Sequence, residues 1–496
     1  MYHLRKTKTA SGATAVQVVE YVQRKLVVAV HVGSAHKPET LANLVASAEA
    51  WVEKHGGQKT LFVPKISPAA HSLEKYEYVG VRYAFSYEVL HKLMTRFQFT
   101  ALGNQLLHDL VVIRIIEPAS KRQSLVLLEK YFGIVHRRQA FYEALPKFVL
   151  LKDAAEKRAV ARAKEEFGFD FALVFYDVTT LYYESFEADE LRKPGFSKDA
   201  KSQQPQIVLG LMVTADGFPV SYEIFKGNTF EGHTFLPTVK AFKDKHCIKT
   251  LTVVADAAMI GADNVQALQA SGLTYIVGAR MGNISSKLIH EISHTLKGRD
   301  SATMRTKTPL GELVTDFSAK RYAKDKRELE KQVTKAENLV SHPAKAKRTK
   351  FLKAGSGAGF KMNDELVEKA KLLLGIKGYY TNLGADISDR TIIDHYRSLW
   401  HVEQAFRVAK SDLSTRPIFH FKEEAIKVHL LICFIALVVS KYMEIKTGLS
   451  IKRNVDALRS VTDAILVHKI TQQQTTLRTK IQGEMKTILD KLGLSY

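Results

Sequence analysis

The feature that most limits the fold is an alternation of apolar runs and helix-like segments between residues 171 and 279. The apolar, strand-like runs are residues 171–177, 207–213, 218–225, 250–256 and 273–279. An Asp216-Gly217 step joins the second run to the third, and such a step is typical of a hairpin turn. Helix-like segments begin near Thr234 and Gly261. This order predicts an α/β fold with a mixed sheet and helices packed on it.

Two of the strand-like runs are followed by an acid, Asp177 in one case and Asp256 in the other. Acids at the carboxyl ends of strands are well placed to form a site in an α/β sheet. Phosphodiester cleavage by two metal ions needs such fixed carboxylates, with the ions roughly 4 Å apart. The alternative is that each acid caps the element that follows it. Because both acids occur in a basic chain, we favour a functional site.

A third acid, Glu403, lies in a segment that predicts one long amphipathic helix from about Ser388, which we expect to be capped by Ser388 or Asp389. Helical spacing places five side chains on one stripe: Tyr396, Trp400, Glu403, Arg407 and Lys410. A neighbouring apolar stripe can dock on the sheet: Val402, Phe406, Ala409 and Leu413. An acid flanked by cations suits a metal ligand beside a DNA strand end. An ordinary charged surface helix would show the same pattern.

The charge of the whole chain points to a polyanionic partner. Lys and Arg total 73 against 51 acids, which gives a net charge of +22, and nucleic acid is the commonest partner of such a chain. The basic pairs Lys121-Arg122 and Arg137-Arg138 are candidates for phosphate contact, although solvated surface charge explains each equally well.

Cysteine content and hydropathy restrict the compartment and the cofactors. The two cysteines, Cys247 and Cys433, cannot build a disulfide framework or a cysteine zinc cluster, and they fit a reducing compartment. The basic N-terminus has no apolar segment after it, so we do not predict a signal peptide. The longest apolar run, Leu430–Val439, is shorter than the roughly 20 residues of a membrane span and predicts a buried helix. We therefore expect a cytoplasmic protein without a membrane partner.

Three stretches carry a family resemblance: Tyr176–Glu184, Val253–Ile260 and Tyr396–Lys410. They resemble the three acidic motifs of DDE insertion-sequence transposases, in the IS-four-like branch, whose RNase H-like core carries an inserted β-rich domain. Further similar stretches are residues 114–121, 209–228 and 416–420. The resemblance extends from near residue 5 to about residue 445, and the Asp177 motif with its Thr-Thr-Leu-Tyr continuation is its most specific part.

The resemblance implies that Asp177, Asp256 and Glu403 are catalytic and hold two Mg²⁺ or Mn²⁺ ions. It implies that Tyr396 and Lys410 match the tyrosine and lysine of a Tyr-Arg-Glu-Lys signature that contacts the transposon end. The arginine of that signature falls at Leu399, where this sequence departs from the pattern. Two nearby arginines are candidates to replace it in DNA binding, Arg397 and Arg407.

The resemblance also implies an activity and a set of partners. A bacterial insertion-sequence transposase would act as a homodimer on double-stranded DNA, in the cytoplasm and in association with the nucleoid. It would cut at terminal inverted repeats and transfer the freed strand to target DNA. Some relatives stack a flipped base on a tryptophan of the insertion domain, but no tryptophan lies between Asp256 and Trp400, so a Tyr or Phe would have to serve.

These expectations divide the chain into five parts. Residues 1–167 form an N-terminal region, a small β element and then mostly helices, that we expect to bind DNA. Residues 168–280 and 376–445 form the two halves of the RNase H-like core. Residues 281–375 form the insertion domain and residues 446–496 a helical, basic tail. Within the insertion, Gly355–Gly359 lacks the Gly-Lys-Ser/Thr of a phosphate loop, and we interpret it as a flexible turn.

Three other functions stay open at this point. The segment His290-Glu-Ile-Ser-His294 fits a zinc-peptidase motif, with Glu291 as the base and Glu312 as a conceivable third ligand. A catalytically inactive or repurposed DNA-binding protein would need the basic surfaces alone. Another RNase H-like nuclease, such as a resolvase, would use similar carboxylates.

Overall fold

The computed structural model describes residues 2–55, 75–184, 187–196, 203–259, 262–341, 350–354 and 360–496. Its strands are β1 (Tyr2–Lys8), β2 (Thr14–Val22), β3 (Lys25–Ala35), β4 (Tyr76–Arg82), β5 (Leu173–Tyr182), β6 (Gln206–Val213), β7 (Pro219–Lys226), β8 (Thr252–Ala255), β9 (Thr274–Gly278), β10 (Thr303–Thr308), β11 (Gly311–Phe317), β12 (Leu352–Ala354), β13 (Phe360–Met362), β14 (Ile376–Thr381), β15 (Asp463–His468) and β16 (Gln474–Arg478).

Its α-helices are α1 (Pro38–His55), α2 (Ala84–Arg96), α3 (Gln105–Ile116), α4 (Lys121–Phe132), α5 (Arg138–Phe148), α6 (Lys152–Phe167), α7 (Glu231–Lys245), α8 (Ala262–Ala270), α9 (Ser286–Leu296), α10 (Ala319–Ser341), α11 (Asp364–Leu372), α12 (Asp389–Arg397), α13 (Trp400–Lys410), α14 (Glu423–Thr447), α15 (Ile451–Ser460) and α16 (Glu484–Lys491).

A large mixed sheet organises the core. Among the described residues, eight strands follow the order β10-β11-β14-β9-β8-β5-β6-β7. Strand β8 pairs in parallel with β5 and β9, and the other neighbours are antiparallel. The β6–β7 hairpin turns at Gly217, whose φ of +79° favours glycine. Three antiparallel strands followed by two parallel ones, with a helix before each parallel strand, confirm the predicted α/β class and its RNase H-like core.

The two faces of this sheet carry different helices. On one face, Tyr176 of β5 packs against α7, where its ring lies 5.7 Å from that of Phe235. On the other face, α12 contacts β8, β9 and β14, and α13 contacts β5 and β6. Because successive strand residues point to opposite faces, the residues next to Tyr176 point toward α12 and α13.

The segment predicted as an insertion contributes to the sheet itself. Strands β10 and β11 extend the sheet beyond β14, while α10 and α11 pack around a small separate cluster of Ala336, Phe351 and Val367. The segment is joined to the core through β11, which pairs with β14, and β10 pairs with β11 at the edge of the sheet. The expected turn at Gly355–Gly359 lies outside the described residues, and the five-part division remains a prediction.

A third small sheet joins the C-terminal segment to the N-terminal region. Strand β15 pairs with both β16 and β4, so the C-terminal segment joins the N-terminal region. The expectation of a helical tail was wrong for residues 463–478. The buried Asp463 fixes this junction, since it accepts hydrogen bonds from the backbone N–H of Phe85 and from Arg478. The N-terminal β element, β1 to β3 covered by α1, is present as expected.

The apolar run at Leu430–Val439 lies in α14, which packs against α3, α13 and β7. By length and composition α14 is the one helix of the described residues that could cross a membrane, but 89% of its apolar stretch is buried inside the protein. This confirms the prediction of a buried helix.

Candidate active site

Asp177 and Asp256 lie side by side on neighbouring parallel strands. The pairing of Tyr176 with Ala255 places the next residues, Asp177 and Asp256, at the same level, about 4.8 Å apart between strands. Both follow residues that face α7, so both point toward α12 and α13. Asp256 comes directly after β8, as predicted. Asp177 does not end its strand, because the following residues continue to pair with β6 as far as Tyr182.

The Asp256 carboxylate is held by two donors. The hydroxyl of Tyr396 donates to Asp256 Oδ1 over 3.2 Å, and the backbone N–H of Ala257 donates to the same oxygen over 2.7 Å. Burial and the neighbouring Asp256 raise the pKa of Tyr396, so its hydroxyl remains protonated and can donate. The tyrosine, which was expected on the DNA-contacting stripe, is 92% buried and instead orients an acid.

A glycine makes this contact possible. Gly278 of β9 follows Val277, which pairs with Ala255, so Gly278 is level with Asp256 on the same face. A Cβ atom at Gly278 would lie 2.4 Å from the Tyr396 oxygen and 3.2 Å from the Ala257 nitrogen. The absence of a side chain there lets Tyr396 reach the acid.

Glu403 is presented by α13 on the same side of the sheet. Its helix packs on β5 and β6 through the predicted apolar stripe, whose members are all buried: Val402, Phe406, Ala409 and Leu413. The neighbouring face is open, with Trp400, Glu403 and Arg407 exposed. Asp256 and Glu403 both act to raise the pKa of Tyr396 and that of Lys377. The two acids therefore lie near the same two side chains.

The predicted long helix is divided in two. Ser388 caps α12 as expected, since its side chain accepts a hydrogen bond from the Thr391 N–H. The helix ends at Arg397, and α13 begins at Trp400. The Ser398 hydroxyl donates to the Asp394 carbonyl, a bond that bends helices, and Leu399 is buried at the break. Tyr396 and Glu403 therefore belong to different helices.

Sequence reasoning missed a group of residues on β11 and β14. Lys377 lies over the Tyr396 ring, 5.2 Å from its centroid, and Tyr379 packs against the same ring at 4.7 Å. Desolvation and Arg321 lower the pKa of Lys377, whereas Asp316, Asp256 and Glu403 oppose that shift. The signal that could have revealed this group was Lys377 itself, a lysine within an otherwise apolar strand.

The signature cations occupy distinct surroundings. Arg397 pairs with the buried Asp316 at 3.1 Å and with Asp394 at 3.3 Å. Arg407 is exposed and acts electrostatically on Asp412, and Lys410 is half-buried at the end of α13. Leu399, at the arginine position of the signature, is buried and cannot contact DNA from there. Of the two candidate replacements, Arg407 has the more open position.

The three acids are of the kind that binds a hard divalent cation, but their side chains do not come together around one ion. Asp177, Asp256 and Glu403 offer carboxylate oxygens alone, which are the ligands that Mg²⁺ and Mn²⁺ prefer. Among the described residues, no three His, Cys, Asp or Glu side chains are close enough together to hold one ion. The structure thus brings two acids into register and places the third on the helix that covers the same face.

The zinc-peptidase motif lies elsewhere and is incomplete. His290, Glu291 and His294 are exposed on α9, as its helical spacing predicted. Glu312, the conceivable third ligand, pairs with Arg305 at 2.9 Å. Among the described residues, no group of three His, Cys, Asp or Glu side chains is close enough here to hold a metal ion. The motif therefore lacks the third ligand that its chemistry requires.

Comparison with known proteins identifies a family. Residues 170–439, more than half of the chain, match the family model described as a transposase DDE domain. The cryo-EM structure of a piggyBac transposase synaptic complex with hairpin DNA is similar over 85% of this chain and 77% of that chain. The two sequences are 10% identical and the TM-score is 0.38, which is too low to assign a fold or a function to this chain. A search of curated proteins found no significant match.

Proposed function

Because the chain belongs to the transposases with a DDE domain, we propose that it cuts DNA at the terminal inverted repeats of a bacterial insertion sequence and joins the freed 3′ end to target DNA. The observation that carries this proposal is the register of Asp177 and Asp256 on parallel strands, beneath the helix that bears Glu403. A structural role in capping would not require two acids at one level on one face.

In this proposal the three acids are the catalytic residues and the ligands of two Mg²⁺ or Mn²⁺ ions. When bound, such ions activate the attacking oxygen and stabilise the leaving oxygen of a phosphodiester. The protein's part is to keep the ligands fixed. Tyr396 and the Ala257 N–H orient Asp256, and Lys377 reduces the repulsion between Asp256 and Glu403. The proposal requires α13 to bring Glu403 to the two aspartates when the metal ions bind.

The exposed face of α13 is the proposed contact with the DNA end. Arg407 and Lys410 provide charge next to Glu403, and the exposed Trp400 ring provides an apolar surface for a base. Arg397 would have to exchange Asp316 or Asp394 for a phosphate in order to contribute. The net charge of +22 would make binding to double-stranded DNA strongly dependent on salt. We expect a homodimer on the two transposon ends, acting in the cytoplasm in association with the nucleoid.

A cleavage assay tests the proposal. A duplex with the sequence that flanks the gene is incubated with Mg²⁺ or Mn²⁺ and with the wild type, Asp256→Ala or Glu424→Ala. Glu424 is an exposed acid of α14 and serves as the control. We expect nicking at the repeat boundary that requires both the metal and Asp256. Equal DNA binding without nicking in any protein would favour a non-catalytic DNA-binding protein, and cuts unrelated to a repeat would favour another RNase H-like nuclease.

A further inference from the structure

A cavity of about 310 Å³ lies between the beginning of α4 and the segment that joins α13 to α14. Basic side chains dominate its walls: Arg114, Lys121, Arg122, Arg416, His420 and His429. No carboxylate belongs to the wall among the described residues. The exposed rings of Tyr142 and Phe419 stand at the same cavity. The surroundings therefore favour an anion.

Arg114 shows the imbalance most clearly. Its residue is 97% buried, and its guanidinium donates to the carbonyl oxygens of Ala119 at 2.8 Å and Leu413 at 3.4 Å. Among the described residues, its Nε has no hydrogen-bond partner and no acid forms an ion pair with its guanidinium. Burying a guanidinium without a counter-ion is costly. A bound anion would supply the missing counter-charge for Arg114.

The other basic groups are held close to this arginine. The Lys121 Nζ lies 3.5 Å from Nδ1 of His429. Desolvation, followed by the charge of Arg114, lowers the pKa of Lys121 to about 7, and desolvation followed by Lys121 lowers the pKa of His420 to about 4. The beginning of α4, capped by Ser120, adds the positive end of a helix dipole. Arg114 and Lys121 therefore disfavour each other's charge, and a negative charge placed near both would relieve that repulsion.

We propose that this cavity binds a phosphate group, and that its occupant is a backbone phosphate of the DNA on which the protein acts. The assignment of the occupant to DNA rests on the proposed function. Arg416 lies over the Tyr182 ring at 5.6 Å, and Tyr182 is the last residue of β5, five residues beyond Asp177. At about 3.3 Å per strand residue, Tyr182 is roughly 17 Å from that acid, and Arg416 reaches the cavity wall from beside it. With about 3.4 Å of rise per nucleotide, this corresponds to roughly five nucleotides from the reacting phosphate.

The arrangement suits a phosphate better than a carboxylate. A phosphodiester offers several acceptor oxygens in different directions, and here donors come from α3, α4 and the segment before α14. A single carboxylate would satisfy one guanidinium and leave the remaining donors without an acceptor. The cavity volume leaves room for a phosphate and for adjoining sugar atoms.

The first test measures anion binding by the full chain. Inorganic phosphate is titrated at constant ionic strength, and the thermal midpoint and the NMR titration of methylated Lys121 are followed. The variants are Lys121→Gln, Arg416→Gln and the control Lys130→Gln, an exposed lysine of the same helix. We expect phosphate to raise the midpoint and the Lys121 pKa in the wild type and the control. Both pocket variants should bind at least about tenfold more weakly. Equal responses in all four proteins would overturn the proposal.

The second test distinguishes a DNA phosphate from a free one. Binding to the flanking duplex is measured in EDTA, so that no cleavage is required, with one phosphate at a time replaced by a neutral methylphosphonate. We expect one replacement, near the fifth nucleotide from the boundary, to weaken wild-type binding about tenfold and to have no further effect in Lys121→Gln. Additive losses at every position, with phosphate binding intact, would show that the cavity takes a free anion and would overturn the DNA assignment. Failure of cleavage in the earlier assay would leave both measurements interpretable.

Discussion

The hydroxyl of Tyr396 donates a hydrogen bond to Oδ1 of Asp256, and this contact ties the last turn of α12 to the end of β8. The two residues are 140 positions apart in the chain, so the bond fixes an acid of the first half of the core from the second half. Any movement of α12 would therefore change the orientation of the Asp256 carboxylate.

The substitution Tyr396→Phe tests this tie. It removes the donor and keeps the ring, so we expect a loss of about 1 kcal/mol in the free energy of unfolding and a fall of about tenfold in the rate of DNA nicking. Single-turnover cleavage and urea unfolding provide the two numbers. Tyr380→Phe, the same change at the neighbouring buried tyrosine of β14, is the control. A comparable fall in the rate for both variants would refute a specific role for Tyr396.

The substitution Gly278→Ala tests the same contact from the sheet. A methyl group would meet the Tyr396 oxygen at 2.4 Å, and Tyr396 would have to move away from Asp256. We expect a loss of about 1–3 kcal/mol in stability together with reduced nicking. Gly282→Ala is the control, because a Cβ at Gly282 has no neighbour within 4 Å. Unchanged nicking in a folded Gly278→Ala protein would contradict the account.

The stability of the protein should depend on pH through His420. Desolvation, Lys121 and Arg114 lower its folded-state pKa to about 4, below the unfolded value of 6.5. As the pH falls below 6.5 the unfolded state takes up the proton first, so stability is lost. Between pH 7 and pH 5 we expect this residue to account for a loss of about 2 kcal/mol in the free energy of unfolding.

Urea unfolding at several pH values measures that loss. The substitution His420→Asn should flatten the dependence between pH 5 and pH 7, whereas His290→Asn, at an exposed histidine, should not. The same slope in wild type and His420→Asn would mean that other groups cause the pH dependence.

The motif on α9 should have no catalytic part. His290, Glu291 and His294 face solvent, while Ile289, Ile292 and Leu296 bury the opposite side of the helix. We expect His294→Ala and Glu291→Ala to nick DNA at the wild-type rate. Calorimetry with zinc should show no stoichiometric binding. Zinc binding that His294→Ala abolishes, accompanied by peptide hydrolysis, would revive the peptidase hypothesis.

Local patterns were sufficient to predict five strands of the sheet, β5 to β9, and the strand that Asp256 follows. Apolar runs and the Asp216-Gly217 step predicted the strands and the hairpin, because burial and turn geometry act over a few residues. The position of Asp177 within β5 was missed because the partner of residues 178–182 is β6, which the sequence of β5 alone does not specify. Strand β15 was missed for the same reason, since its partner β4 lies almost 400 residues earlier.

The sequence predicted which helical residues belong to the candidate site, but it did not predict that they lie on two helices. The spacing of Tyr396, Glu403 and Lys410 fits a straight helix, and the break depends on the Ser398 hydroxyl and on burial of Leu399. The Ser398 bond is local, but the burial of Leu399 is a tertiary effect that the spacing does not reveal. The position of Lys377 beside Asp256 and Glu403 also depends on the pairing of β14 with β9, which joins distant parts of the chain.

The central claim is that Asp177, Asp256 and Glu403 act as one catalytic unit. The most direct measurement is the single-turnover rate of nicking on saturating flanking duplex with Mg²⁺, for Asp177→Asn, Asp256→Asn, Glu403→Gln and their double variants, with Glu424→Gln as the control. Our account predicts a loss of at least about 10³-fold for each single variant, no additional loss in the doubles, and a wild-type rate for the control. Wild-type nicking by Glu403→Gln, or losses that multiply in the double variants, would contradict it.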